Sequence, residues 1–251
     1  MTDTDQITHL LGACTVEQRK AIFQALRQEF PIHPLEQEWH VAAEVILEAI
    51  ARSSDLSKRG VKGLIAEAAF GVDVVATLPA WTNIPVEGDH AYDYLLADTH
   101  GQVRIQVKMQ RRIAGRPMQA NEVRRAYAAD MFVVETQRTR TGKAVSGDAT
   151  RPYRFNEFDI IAVCMYPSTQ AWSRFMYTVA NWLTPRSGNP ELIAVLQIVS
   201  PTSNADWTDD FTECVAWLRS GMQRTIYPPV PIQLPQTLEK LQEDDPEIPP
   251  S

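Results

Sequence analysis

The sequence predicts an α/β fold: a mixed central sheet flanked by helices, with a helical extension at the N-terminus. Three stretches carry that expectation. Residues 91–112, AYDYLLADTHGQVRIQVKMQRR, read as two strands about a short turn that closes on Gly101. Residues 57–76 repeat apolar side chains at helical spacing. Residues 158–166, FDIIAVCMY, are an apolar, β-branched run with the length of a buried strand.

The elements follow in order. Thr15 and Gln18 are spaced as a capping box, opening a helix to about Phe30 with Ile22, Phe23, Leu26 and Phe30 as its apolar stripe. Pro31 breaks it. Pro34 suits a first helical position, so a second helix is predicted from there to about Arg52, with Trp39, Val45, Ile46 and Ile50 on its apolar side. In the third helix, 57–76, the stripe is Val61, Leu64, Ile65, Ala68, Val72 and Val75. Glu67 sits beside it, with Gly63 four residues before and Gly71 four after, on its own face. Glycine inside a helix costs about 1 kcal/mol relative to alanine, so the pair points to a close approach to the backbone there.

Pro79 ends that helix, 82–86 reads as a short strand and 87–90 as a loop. In the second strand of the hairpin, Val103, Ile105, Val107 and Met109 point one way, and Arg104, Gln106, Lys108 and Gln110 the other. Gln106 and Lys108 therefore share a face, to which the neighbouring strand can present Asp93. A carboxylate, an amide oxygen and an ammonium converging on one spot suit a hard divalent cation and a phosphate. Further strands are predicted at 131–136 and 174–179, and a long Arg-, Thr- and Gly-rich loop at 137–155. Residues 189–198 suit either helix or strand, and 206–222 a helix. From residue 227 the chain is Pro-rich and ends acidic, which reads as an extended arm and a disordered tail. The expected divisions are a helical region at 1–56, a core at 57–200, and a helix with its arm at 201–251.

Composition bounds the function. With 44% hydrophobic residues the chain supports a real core. No apolar run is long enough for a membrane span, and the polar, acidic first ten residues are not a secretory signal. Cys14, Cys164 and Cys214 are odd in number and lack metal-type spacing, which fits reduced thiols in a cytoplasmic protein. Net charge is −7, but it is unevenly spread. Residues 104–154 hold 12 Lys/Arg against 4 Asp/Glu, a local charge of +8; the remainder holds 12 against 27, a charge of −15. Such asymmetry is what a face meeting a polyanion requires.

Taken together, a helix with GxxxE, then YDYLL, a turn, VRIQVK and a later FDIIAV strand resemble the PD-(D/E)xK nuclease superfamily. The match is to the branch whose third motif is QxK, found in Holliday-junction resolvases, some restriction endonucleases and a homing endonuclease group. It covers about residues 58–178, with Glu67, Asp93 and Gln106 standing 26 and 13 residues apart in the expected order. The resemblance implies a restriction-endonuclease-like fold and a Mg²⁺-dependent DNA endonuclease. It implies Asp93 as the metal-binding aspartate, Glu67 as the helix carboxylate and Lys108 as the residue that orients the attacking water. Gln106 stands where most members have Glu, supplying an oxygen but no charge. Tyr92, not Pro, precedes Asp93, and Asp89 and Glu87 are rival ligands. A type II restriction enzyme, acting as a homodimer on double-stranded DNA, is the leading reading. A homing or junction-resolving nuclease and an inactive DNA-binding module are the alternatives. Candidate DNA contacts are Arg111, Arg112, Arg124, Arg125, Gln137, Arg138, Arg140, Lys143, Arg151 and Arg154.

Overall fold

The computed structural model describes residues 2–138 and 152–227. The chain divides into two compact units, Met1–Val61 and Lys62–Ser251.

The first unit is helical. It contains α1 (Asp3–Ala13), α2 (Val16–Glu29), α3 (Leu35–Glu38), α4 (Ala43–Arg52) and the first turns of α5 (Asp55–Ala69). Thr15 and Gln18 cap α2 reciprocally, as the sequence predicts. The sequence reading missed α1, whose own capping box pairs Thr2 with Asp5, where the usual partner is Glu or Gln. The single helix expected over 34–52 is broken. His40 adopts φ 53°, a left-handed conformation no helix accommodates, so α3 stops before it and α4 starts after it. Polar contacts hold the unit together. Glu36 accepts the Ala43 and Ile32 N–H groups at 2.7 and 2.5 Å and pairs with Arg27, which also reaches Glu44. These contacts hold the Glu36 carboxyl at about 2, the Arg27 guanidinium foremost.

The second unit is built on a five-stranded mixed sheet of order β1-β2-β3-β7-β8. Its strands are β1 (Thr82–Ile84), β2 (Tyr94–Asp98), β3 (Gly101–Met109), β7 (Ile160–Cys164) and β8 (Phe175–Val179). All neighbours run antiparallel except β3 and β7, which are parallel. Between them lie a small hairpin, β4 (Arg112–Ile113) and β5 (Arg116–Pro117), and β6 (Phe132–Glu135). After β7 come a helical turn α6 (Tyr166–Thr169), β9 (Pro185–Arg186), β10 (Asn189–Ile193), β11 (Leu196–Val199) and α7 (Phe211–Arg219). β11 pairs with β6, and β10 with β9, so the segment from residue 189 forms two strands rather than a helix.

Every residue of β7 and β8 is buried, as a central apolar run requires. Phe70 is the hub of one side of the sheet. Its ring meets those of Tyr94, Phe175 and Phe211 at 5.1, 5.4 and 6.3 Å in edge-on geometry. Phe211 opens α7, which is shorter than the 206–222 helix expected. Asp210 caps it by accepting the Thr212 N–H at 2.7 Å, while Thr208 pairs with Tyr177 as a bridge. The core face of α5 is not the predicted stripe. Leu64, Ile65 and Val72 are exposed, whereas Ala66 and, just beyond the helix, Phe70 are buried. A π turn over Phe70–Val74 continues α5. Its wider winding rotates the following residues out of the 3.6-residue phase. Cys14, Cys164 and Cys214 are free thiols.

Candidate active site

The site forms where β3 outruns β2. Tyr94 pairs with Ile105, and no β2 residue pairs with β3 beyond that point. On the other side β7 continues alongside as far as Met109. The chain just before β2 is drawn in by the Asp93 N–H, which donates to the Ile105 carbonyl at 2.9 Å. The next donor on that edge, the Val107 N–H, has no strand to meet. It donates instead to Asp93 Oδ2 at 2.8 Å. An unpaired strand edge thus becomes the clamp on a carboxylate.

Gln106 adds a second donor. Its Nε2 reaches Asp93 Oδ2 at 2.5 Å and the Val107 carbonyl at 3.1 Å, and its Oε1 accepts from the Tyr153 hydroxyl at 3.2 Å. Two acceptors at one end of the amide and a phenol at the other assign its orientation. Gln106 therefore presents nitrogen, not oxygen, to Asp93. At 2% exposed it is enclosed with every polar atom engaged. Lys108, on the same strand face, lies with Nζ 5.4 Å from the centre of the Tyr153 ring.

Glu67 reaches the same spot from α5. Burial pushes its carboxyl up to about 7; the Asp93 charge adds to the rise and Lys108 opposes it. Asp93 is also raised by burial, opposed by Lys108 and by the Val107 N–H. Two carboxylates are therefore held in a partly dry site, where burial opposes the ionisation of both and the Asp93 charge adds to the opposition at Glu67. Asp89 and Glu87, the rival ligands, are exposed in the preceding loop.

The two glycines flanking Glu67 behave differently. Nothing lies within 4 Å of the place a Cβ on Gly63 would occupy, so the close approach expected there is absent among the described residues. At Gly71 a Cβ would stand 2.6 Å from Tyr94 Oη. That hydroxyl donates to the Glu67 carbonyl at 2.7 Å and accepts from the Gly71 N–H. In a regular α-helix this carbonyl and this N–H would bond each other. Tyr94 is wedged between them, which accounts for the π turn that follows. Since Tyr94 adjoins Asp93, one residue pair positions both carboxylates.

The donor set fits a divalent cation. Asp93 Oδ1 and the Glu67 carboxylate make no hydrogen bond among the described residues, leaving hard oxygen donors free. No three His, Cys, Asp or Glu side chains gather there among those residues. Magnesium is commonly held by one or two carboxylates, with water and substrate phosphate completing its shell.

The candidate DNA contacts divide into two groups. Arg111 pairs with Glu135, Arg138 with Glu157 at 2.9 Å and Arg154 with Glu191 at 3.6 Å. Gln137 bonds Glu135, and Arg112 bonds the Gly115 carbonyl. Arg104 and Arg116 are likewise paired, with Asp159 and Glu122. Much of the local positive charge counted along the sequence is thus neutralised, partly by acids beyond residue 154. Arg124 and Arg125 are exposed and have no carboxylate partner among the described residues; Arg124 rests over Tyr127. Arg140, Lys143 and Arg151 lie outside the described residues.

Sequence reasoning missed Tyr153 and Tyr94. Tyr153 lies in a stretch without periodicity, and Tyr94 read only as part of a strand. No helix among the described residues is long and apolar enough to cross a membrane. Neither a protein-family model nor a curated protein matches the chain. Among solved structures, a bacterial homing endonuclease, I-Ssp6803I, aligns with a TM-score of 0.35 and 16% identity, over 64% of this chain and 92% of that one.

Proposed function

We propose that the protein is a metal-dependent endonuclease that hydrolyses phosphodiester bonds in duplex DNA. One observation carries the reading: Glu67, Asp93, Gln106 and Lys108 meet at the free edge of β3, with two carboxylates raised by burial and one ammonium in a partly buried site. Such a site gains from a divalent cation and has an ammonium left for a phosphate oxygen or an attacking water.

The residues take distinct parts. Asp93, through its unbonded Oδ1, and Glu67 are the residues that would hold Mg²⁺. When bound, the ion offsets charge on the phosphate and lowers the pKa of a coordinated water. Gln106 and the Val107 N–H keep Asp93 in one orientation. Lys108 holds the water or a phosphate oxygen through charge-assisted hydrogen bonds. Arg124 and Arg125 meet the phosphate backbone, which positions DNA without reading sequence.

Cutting at fixed sites by a homodimer, as a type II restriction enzyme does, is the finer proposal, since cleaving both strands calls for two sites. The test is supercoiled plasmid incubated with Mg²⁺ or with a chelator. Discrete fragments in Mg²⁺ alone are expected; intact plasmids of several sequences would favour a nuclease with a long or branched target. No cleavage of any duplex or branched DNA, with any divalent metal, would overturn the enzyme reading.

A further inference from the structure

We infer that Tyr153 is the positioning residue of Lys108, seating the ammonium on its ring while its hydroxyl locks the amide that orients Asp93. The phenol is 3% exposed. Its backbone is held from another part of the fold: the carbonyl accepts the Ile193 N–H at 2.9 Å, and the preceding Pro152 bridges to Gln137. Its ring stands edge-on to Phe158 at 5.3 Å. Tyr153 is therefore fixed independently of β3.

Three site groups converge on it. The hydroxyl donates to Gln106 Oε1, Lys108 Nζ lies 5.4 Å from the ring centre, and the Arg138 guanidinium lies 5.6 Å from it. Burial raises the phenol, whereas the Lys108 charge and its reach toward the hydroxyl oppose that rise. A cation over an aromatic face within about 6 Å is attracted by the ring's negative centre. Fixing a long, flexible lysine side chain costs rotamer freedom, which a favourable contact offsets. The ring supplies a seat that forms no ion pair, so the Lys108 charge stays available for substrate. The hydroxyl extends the arrangement: with Tyr153 donating to Oε1, Gln106 is left with Nε2 facing Asp93. One buried ring thus aligns the ammonium and, through an amide, the carboxylate.

The effect on cleavage rests on the nuclease reading above, whereas the seat itself does not, so two measurements are paired. The first is single-turnover cleavage with DNA affinity measured alongside. Tyr153→Phe keeps the ring and is expected to slow cleavage about 10-fold; Tyr153→Leu removes the seat and should slow it about 100-fold, both with DNA affinity held within about twofold. A Leu variant that cuts at the parent rate overturns the inference. So does a Phe variant as impaired as Leu that loses DNA affinity in step, since the ring would then be only structural. The second measurement is acetylation of Lys108 by an amine-acylating reagent, followed by peptide mass spectrometry with Lys62 as the reference. Labelling is expected to quicken about threefold in Tyr153→Leu and much less in Tyr153→Phe. An unchanged ratio overturns the inference whether or not the parent cuts DNA. Cleavage by no variant, the parent included, with the labelling change present, sinks the nuclease reading alone. Should Tyr153→Leu fail to fold, the Phe variant decides: parent-like cleavage with parent-like labelling refutes the inference.

Discussion

The two halves of β3 are one strand with one alternation, but they are held differently. From Gly101 to Ile105 the strand has β2 on one side, and Val103 and Ile105 are sealed in the core. From Gln106 to Met109 β2 is gone and only β7 continues. In the first half backbone donors close a ladder. In the second, a backbone donor is released to a side-chain carboxylate. The difference shows how a sheet can hold a cluster of polar side chains without loosening its core: ending a neighbouring strand early turns obligatory ladder groups into oriented donors.

The sharpest way to break that comparison is to mutate each half. Ile105→Ala should destabilise the fold by about 2–5 kcal/mol through the cavity it leaves, visible as a large drop in melting temperature. Asp93→Asn and Lys108→Ala should melt near the parent, bind DNA comparably and lose cleavage by on the order of 10²–10⁴-fold. If those two variants unfold instead, the second half is structural as well, and Asp93 with Lys108 is only an internal charge pair. Should Asp93→Asn cut normally, the metal is held elsewhere.

Gln106→Glu sharpens the same contrast at one position. The change exchanges a donor for an acceptor beside Asp93, placing like charges within hydrogen-bonding distance. The metal-free variant should therefore melt below the parent, with added Mg²⁺ or Mn²⁺ recovering the loss. A metal-free melting temperature at or above the parent's would contradict the amide orientation.

Glu67 gives a pH signature of intermediate size. Its carboxyl rises from an ordinary 4.5 to about 7 in the folded protein, so the folded state binds the proton more tightly than the unfolded state. The sign follows: stability contributed by protonated Glu67 is present at low pH and is lost as pH rises from about 4.5 to about 7. Melting curves of the parent across that window, compared with Glu67→Gln, should show the parent losing more. Divalent metal should narrow the gap above pH 7, since it takes the ionised form. Parallel curves would remove Glu67 from the site.

The smallest expected effect lies at the surface. Replacing Arg124 and Arg125 by Ala should weaken DNA binding and reduce its salt slope by roughly one for each phosphate that is no longer neutralised. Arg138→Ala should change the slope less, because its guanidinium is already paired with Glu157. A larger slope change from Arg138 would relocate the DNA face.

How far the sequence discloses these features depends on whether the cause is local. The α2 cap and the β3 alternation depend on residues a few positions apart, and both are legible. The break at His40 depends on a backbone sign that composition does not encode, and the π turn beyond α5 follows from a tyrosine more than twenty residues away. Asp93 and Lys108 could be brought together because hairpin register carries them to one edge, whereas Glu67 came with the family resemblance. Tyr153 could not, since its place is set by a bond from Ile193. Charge counting misled for the same reason: Glu157, Asp159 and Glu191 lie beyond the window that held their arginines.

The wedge at Tyr94 makes the winding of a helix part of the site's assembly. A π turn holds more residues than the α-helical turn it replaces, so deleting one residue between Phe70 and Val74 offers the helix a way back to regular winding. That repair would rejoin the Glu67 carbonyl with the Gly71 N–H and expel the tyrosine, leaving Glu67, Asp93 and Lys108 in the sequence. A chain so shortened would be expected to keep its helical circular dichroism while its Mn²⁺ affinity, read by calorimetry, collapses; unchanged affinity would show that the wedge is dispensable. The protein would then have an off state one codon away, reached by making its backbone more regular.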